Sequence, residues 1–378
     1  MIHQSNPGAS YLTHKKSIDE AISRVLNSGW YILGQEVSEF EREFASAMNS
    51  SWAVGVASGT DAIELALRAL GVQSGDRVIT VSHTAVATVA AIARIGALPV
   101  FVDIDPARYT MSPESLEEVL TTTEGGIAKA LVVVHLYGQP ADMPKLLQIA
   151  KDHGLAVIED CAQAHGASLD NKLVGNWGDL GCFSFYPTKN LGSLGDGGAI
   201  IGQKTDLKDH LLRLRSYGWK DRYISEEFGV NSRLDEIQAA VLRAKLPHLQ
   251  EANAQRNKIA EHYDQSLSDL KIDLPQRSAG SYHVFHQYVI RLKSREQLIS
   301  RMKSLGIGHA IHYPKAAHQQ KAFSNPIHRP TPLQNTESMV MDALSLPMYP
   351  ELTIEEIKKV VDTIKQAVLL SKSTQQLV

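Results

Sequence analysis

The chain has 378 residues, a formal charge of −3, and a hydrophobic fraction of 43% against 21% charged. That length carries two domains, or one large domain with an appendage, and the near-neutral balance excludes a broad electrostatic pull toward nucleic acid or an anionic membrane. Two cysteines, Cys161 and Cys182, exclude a disulfide framework and fit a reducing cytoplasm.

The N-terminal run MIHQSNPGASYLTHKK lacks the apolar core of a secretory signal. The longest apolar stretch, residues 85–102, is broken by Thr88, Arg94, Gly96 and Pro99, so no membrane span is expected. Histidines are scattered, without HExxH or Cys-x-x-Cys spacing, so no metal site is expected either.

In chain order, Ser17 and Glu20 form a capping-box pattern before Ile18, Ala21, Ile22, Val25 and Leu26, and Ser28-Gly29 ends that helix. A second helix is expected over Val37–Met48, with Val37, Phe40, Phe44 and Ala47 on one face. From residue 52 short apolar runs alternate with helices: WAVGVA, DRVITV, PVFVDI, ALVVV and AVIED read as strands. They are continuous rather than alternating, as in a parallel sheet covered on both faces. The fold class is therefore α/β, with ligands expected at the carboxyl ends of strands. After a long amphipathic stretch, 251–270, the pattern becomes α+β. It offers strands at 285–291 and 308–312, a helix at 295–305, a loop at 324–336 and a final helix capped by Thr353 and Glu356. The expected division is a large domain, 1–249, and a smaller one, 250–378.

Chemistry concentrates at strand ends. Ser58-Gly59-Thr60 stands where a strand meets a helix, either as a phosphate cradle of free N–H groups or as a plain helix cap. His83 opens the next helix and reads as a ring stacker or as a cap. Asp160 ends AVIED and is expected to enter the ligand crevice, with Glu159 turned the opposite way. Gln163 and His165 follow within a turn. The stretch CFSFYPTKNLGSLGDGGAI then sets Ser184 and Lys189 between an aromatic run and a glycine loop. Together these are the parts pyridoxal phosphate requires: a phosphate clamp, a stacker, an acid for the pyridine nitrogen and a lysine for the Schiff base. A nucleotide-phosphate enzyme is the rival, but GxxxxGK[ST] and a GxGxxG after a first strand are both absent.

These residues resemble the DegT/StrS-type aminotransferases, which have the fold-type I architecture and act on nucleotide-linked keto sugars. The stretches carrying the resemblance are GWYILGQEVSEFEREFA, VGVASGTDAIELALRAL, VFVDID, VIEDCAQAHGA, FSFYPTKNLGSLGDGGAI, GVNSRLDEIQAAVLRAKL and LSLPMYPELT. The resemblance implies that Lys189 is the Schiff-base lysine, that Asp160 pairs with the pyridine nitrogen and that Gln163 meets the ring's hydroxyl side. It implies that Gly59, Thr60 and Ser184 hold the phosphate, and that Asn231 reaches a partner subunit's cofactor in a homodimer with shared sites. A lysine rather than a histidine at 189 separates the chain from the deoxygenating branch. SHTAVAT around His83 is similar to members that aminate the 3-keto position of dTDP-linked deoxyhexoses. His165, Tyr186, Arg233, His312 and Tyr313 are candidate substrate contacts, with Arg215 and Tyr217 as further rim groups. The function implied is amino transfer from glutamate to a keto-sugar nucleotide. Transamination of a 4-keto sugar or another ketone, and a regulator without turnover, stay open.

Overall fold

The structure is a computed structural model that describes residues 1–293, 295–325 and 328–375. The apolar runs become one seven-stranded sheet. Its order is Trp52–Val56, Gly198–Gly202, Leu180–Ser184, Ala156–Asp160, Ala128–Val134, Arg77–Val81, Leu98–Val102. All strands run the same way except Gly198–Gly202, which is antiparallel to both neighbours. Helices cover both faces, which is why Trp52–Val56 is buried at every position.

One face packs Val54, Val78 and Ile158 against Leu65, Ile92 and Leu211 of the helices Gly59–Ala69, Val86–Arg94 and Thr205–Leu214. On the other face, Phe40 and Phe44 of the helix Gln35–Ala47, stacked on each other at 5.4 Å, meet Phe183 and Phe185 at centroid distances of 5.2–5.3 Å. These are edge and offset contacts of the kind aromatic rings prefer. A separate core joins Ile2 to Tyr263, Phe285, Tyr288, Met302, Leu346 and Ile364. It is built around an antiparallel pair, Tyr288–Arg291 with Ala343–Leu346. No helix among the described residues is long and apolar enough to cross a membrane.

Several local expectations change. The first long helix spans Lys15–Ser28, and Ser17 Oγ donates to the His14 carbonyl instead of capping. A short helix, Pro7–Thr13, feeds into it through His14 and so moves the boundary. Gly29 ends it in the left-handed conformation, as Ser28-Gly29 suggests. Ala45, not Ala47, joins the buried face of the next helix. The helix after Arg77–Val81 starts at Val86 with Ala85 as its cap residue, so His83 lies in the turn and caps nothing. Residues 308–312 make only an isolated bridge, Ala310 with Ser345, on the edge of that strand opposite Tyr288–Arg291. Of the loop expected at 324–336, residues 326 and 327 lie outside the described residues and the last three belong to a helix, Gln334–Asp342. Thr353 and Glu356 form the reciprocal box the pattern calls for.

One buried carboxylate holds the strand beneath the site. Glu159 is completely enclosed and accepts from the N–H groups of Gly175, Trp177 and Gly178 at 2.6–2.8 Å. His135 Nδ1 accepts from Ala141 N–H at 3.0 Å, so its proton sits on Nε2 and is donated to Glu159 at 2.9 Å. His135, Glu159 and Cys161 lie close enough to resemble a metal trio. The histidine nitrogens and both carboxylate oxygens are engaged in these bonds, so the cluster is a hydrogen-bond anchor. Glu159→Gln keeps the shape but turns an amide NH₂ toward N–H donors. It should cost about 2–3 kcal/mol, read by denaturant unfolding of the cofactor-free protein; a loss below about 1 kcal/mol would contradict the anchor.

Candidate active site

The carboxyl edge of the sheet gathers most of the singled-out residues. Asp160 ends its strand, and the residue is 5% exposed. Oδ1 accepts from Ala162 N–H at 3.1 Å and Oδ2 from Thr88 Oγ1 at 2.7 Å. Thr88 has one hydroxyl proton, so Thr84 is the donor in the 2.9 Å contact between the two threonines. The chain Thr84 to Thr88 to Asp160 orients the carboxylate from the helix Val86–Arg94.

Lys189 follows the strand Leu180–Ser184 and is half-buried. Burial pulls its ammonium down to about 8, and the Asp160 charge opposes that shift without cancelling it. Asn190 is pinned by Asn253 and the Val284 carbonyl, at 2.8 and 2.9 Å, which fixes the backbone beside the lysine.

The helix start behaves as a mixture of the two readings. Ser58 Oγ accepts from Asp61 N–H at 3.1 Å, so its side chain is a cap. Gly59 and Thr60 are the first helical residues, whose N–H groups have no helical acceptor. A Cβ on Gly59 would stand 2.6 Å from Ser184 Cβ, so the bare glycine brings these two elements together.

Gln163, His312 and Tyr313 also converge. Gln163 Oε1 accepts from Tyr137 N–H at 2.7 Å, and its Nε2 donates to the Tyr313 hydroxyl at 3.0 Å. His312 Nδ1 is 2.8 Å from Ser345 Oγ, and burial takes the ring down to about 4. His83 is fully enclosed, its Nε2 2.8 Å from the Tyr137 hydroxyl. His165 is equally enclosed and lies against Phe183 and Phe185, at 5.3 and 5.8 Å, rather than on the open wall.

Of the remaining candidates, Tyr186 accepts from the Lys189 N–H through its carbonyl at 2.9 Å. Tyr186 is half exposed and Asn231 is on the surface. Arg233 lies over the Tyr217 ring at 5.6 Å. Arg215 is not a rim group: it is buried, paired with Glu41 and the Gly55 carbonyl. Sequence reasoning missed Thr88, Tyr137 and His286. Tyr137 lies just beyond the strand Ala128–Val134, so the strand-end rule applied to that strand would have found it. His286 is held by Asn190 at 3.2 Å and lies close enough for the Lys189 charge to lower it further, beyond the effect of burial; no local pattern marks it.

A free lysine of folded pKa about 8 has a testable sign. The unfolded chain holds that proton up to about 10.5, so this group's contribution to stability rises with pH between about 8 and 10.5. Asp160→Asn removes the charge that raises the value. In cofactor-free protein, the pH midpoint of Lys189 modification by an amine-reactive reagent should then fall below the wild-type midpoint; an unchanged or raised midpoint would show that the two groups are not coupled.

Residues 13–365 match the DegT/DnrJ/EryC1/StrS aminotransferase family. The chain is 42% identical over 358 residues to the UDP-N-acetyl-3-dehydro-alpha-D-glucosamine 3-aminotransferase of Acidithiobacillus ferrooxidans, covering 95% of each. It is 44% identical over 355 residues to the dTDP-3-amino-3,6-dideoxy-alpha-D-galactopyranose transaminase of Aneurinibacillus thermoaerophilus, covering 94% of this chain and 96% of the relative. The solved structure of S. venezuelae DesV in complex with a ketimine intermediate matches with a TM-score of 0.93 at 40% identity, over 97% of this chain and 98% of that one. A half-buried lysine near an oriented carboxylate at the edge of a mostly parallel sheet thus coincides with a family match across nearly the whole length, and the chain belongs to the DegT/DnrJ/EryC1/StrS aminotransferase family.

Proposed function

We propose that the protein uses pyridoxal phosphate to transfer an amino group from glutamate to C3 of a keto-sugar nucleotide. The observation that carries this reading is Lys189, with its lowered pKa, beside the Asp160 carboxylate that Thr88 and Ala162 orient. A dTDP-linked 3-keto-6-deoxyhexose is the first-choice substrate, from the residues around His83 and the dTDP-linked relative. A UDP-linked 3-keto sugar is the second, because the other relative is named for one.

The residues present fit the cofactor. The gap that Gly59 leaves beside Ser184 would be filled by any side chain. The free N–H groups of Gly59 and Thr60, with Ser184, would hold the phosphate there. Asp160 would accept from a protonated ring nitrogen. When bound, pyridoxal phosphate supplies an aldehyde for attachment to an amine and a ring that takes up electrons from the carbon losing its proton. Lys189 Nζ would be the base that takes up a proton and returns it, for which a value near 8 is suited. His165, His286 and His312 are all held neutral by burial, so they add no competing cation. Glutamate enters in one half-reaction and the keto sugar in the other, through the same site.

A second copy of the chain is the proposed partner. Tyr223, Ile224 and Phe228, the last 96% exposed, lie on the largely exposed segment 219–231 that includes Asn231. Sedimentation should therefore read a dimer, and Phe228→Asp should weaken it.

The reading is tested in one cuvette. Protein loaded with pyridoxal phosphate should lose its visible band on adding glutamate and regain it with one member of a panel of 3-keto and 4-keto sugars on UDP and dTDP. Recovery with 4-keto sugars alone would overturn the C3 assignment, and no bleaching by glutamate would point to a regulator without turnover. Lys189→Ala should lower turnover by about 10²–10⁴-fold. Gly59→Ala should release the cofactor on dialysis that the parent protein survives, while the unliganded fold persists.

A further inference from the structure

Tyr137 joins the two halves of this site. It takes a left-handed backbone, φ 60°, which a non-glycine residue adopts only at a cost. Its N–H donates to Gln163 Oε1. Its hydroxyl contacts both the His312 carbonyl and His83 Nε2. Gln163 in turn donates to the Tyr313 hydroxyl. One residue therefore ties together His83 and Gln163, from two strand ends, and the 312–313 segment.

Counting protons settles the state of His83. The Tyr137 hydroxyl has one hydrogen, and the His312 carbonyl accepts but never donates, so that hydrogen goes to His312. The 2.8 Å contact to His83 must then run from His83 Nε2–H to the Tyr137 oxygen. Burial takes the His83 ring down to about 3, so it carries no second proton. Its Nδ1 is left with a bare lone pair, buried and without a protein partner. Burial also pushes the Tyr137 hydroxyl well above its ordinary value, so it remains a donor at every working pH.

We propose that Tyr137 is a positioning residue of the transamination site: it locks His83 in the Nε2–H tautomer and docks the His312–Tyr313 segment against the edge that carries Asp160 and Gln163. The inference rests on the proposed function only for which reaction the site performs. The strained backbone has a purpose in this reading, because it lets one residue direct its amide to Gln163 and its hydroxyl to His312.

Tyr137→Phe keeps the ring and deletes the hydroxyl. In cofactor-free protein with ¹⁵N-labelled histidine, the parent should show His83 protonated on Nε2 and bare on Nδ1, and the variant should show mixed tautomers. In the loaded enzyme, kcat/KM for the keto-sugar nucleotide should fall ten-fold or more while the thermal midpoint stays close to the parent's, which separates positioning from bulk stability. A parent His83 protonated on Nδ1 would overturn the proposal, as would a variant with kcat/KM within two-fold of the parent. If the variant fails to fold, the parent's tautomer still decides the point. If the parent aminates no keto-sugar nucleotide, the functional reading fails, and the tautomer readout continues to test the lock independently.

Discussion

The peptide between Glu159 and Asp160 turns two neighbouring carboxylates to opposite faces of one strand. Extended backbone has a side-chain period of two, so this separation is unavoidable once the strand forms. Glu159 takes three backbone N–H groups and a histidine N–H on its side. That arrangement fixes the end of the strand and the loop at 175–178. Asp160, on the other side, inherits the rigidity and needs only Thr88 and Ala162 to complete its orientation.

Around Asp160 the site is electrostatically sparse. Lys189 is its cation, and burial outweighs the attraction of Asp160, so even that cation is held weakly. Burial, and after it the lysine charge, keeps the surrounding imidazoles neutral. Under the proposed function, a loosely held lysine proton among uncharged rings suits an amine that must change partners and then act as a base. The hydrogen bonds that enclose it come from strand ends on one side and from the 312–313 segment on the other, with Tyr137 between them.

Legibility in the sequence followed the range of the forces involved. The five parallel strand runs, the Gly29 stop and the Thr353–Glu356 box depend on neighbours a few residues apart, and each could be read directly; the antiparallel strand Gly198–Gly202, hidden in a glycine-rich stretch, could not. Lys189 and Asp160 were legible because strand ends in a parallel sheet share one edge, a rule that needs no coordinates. Ser58 shows the limit of such reading: the motif marked a helix start, but only the geometry divides it into a capping side chain and a Gly59–Ser184 gap. His165 shows the same limit, since a residue within a turn of Asp160 can line the crevice or pack behind it, and Phe183 and Phe185 claim it for the core.

By itself, then, the sequence determined the α/β sheet, the edge where chemistry gathers and the pair of charged groups at its centre, because alternation, helix caps and strand-end placement act locally along the chain. Only the tertiary structure decided which neutral groups hold that pair in register. Thr88 reaches Asp160, Tyr137 reaches His312 and Asn190 reaches Asn253 across long stretches of chain. Those hydrogen bonds are selected by where the folded elements come to rest, and no spacing in the sequence encodes that distance.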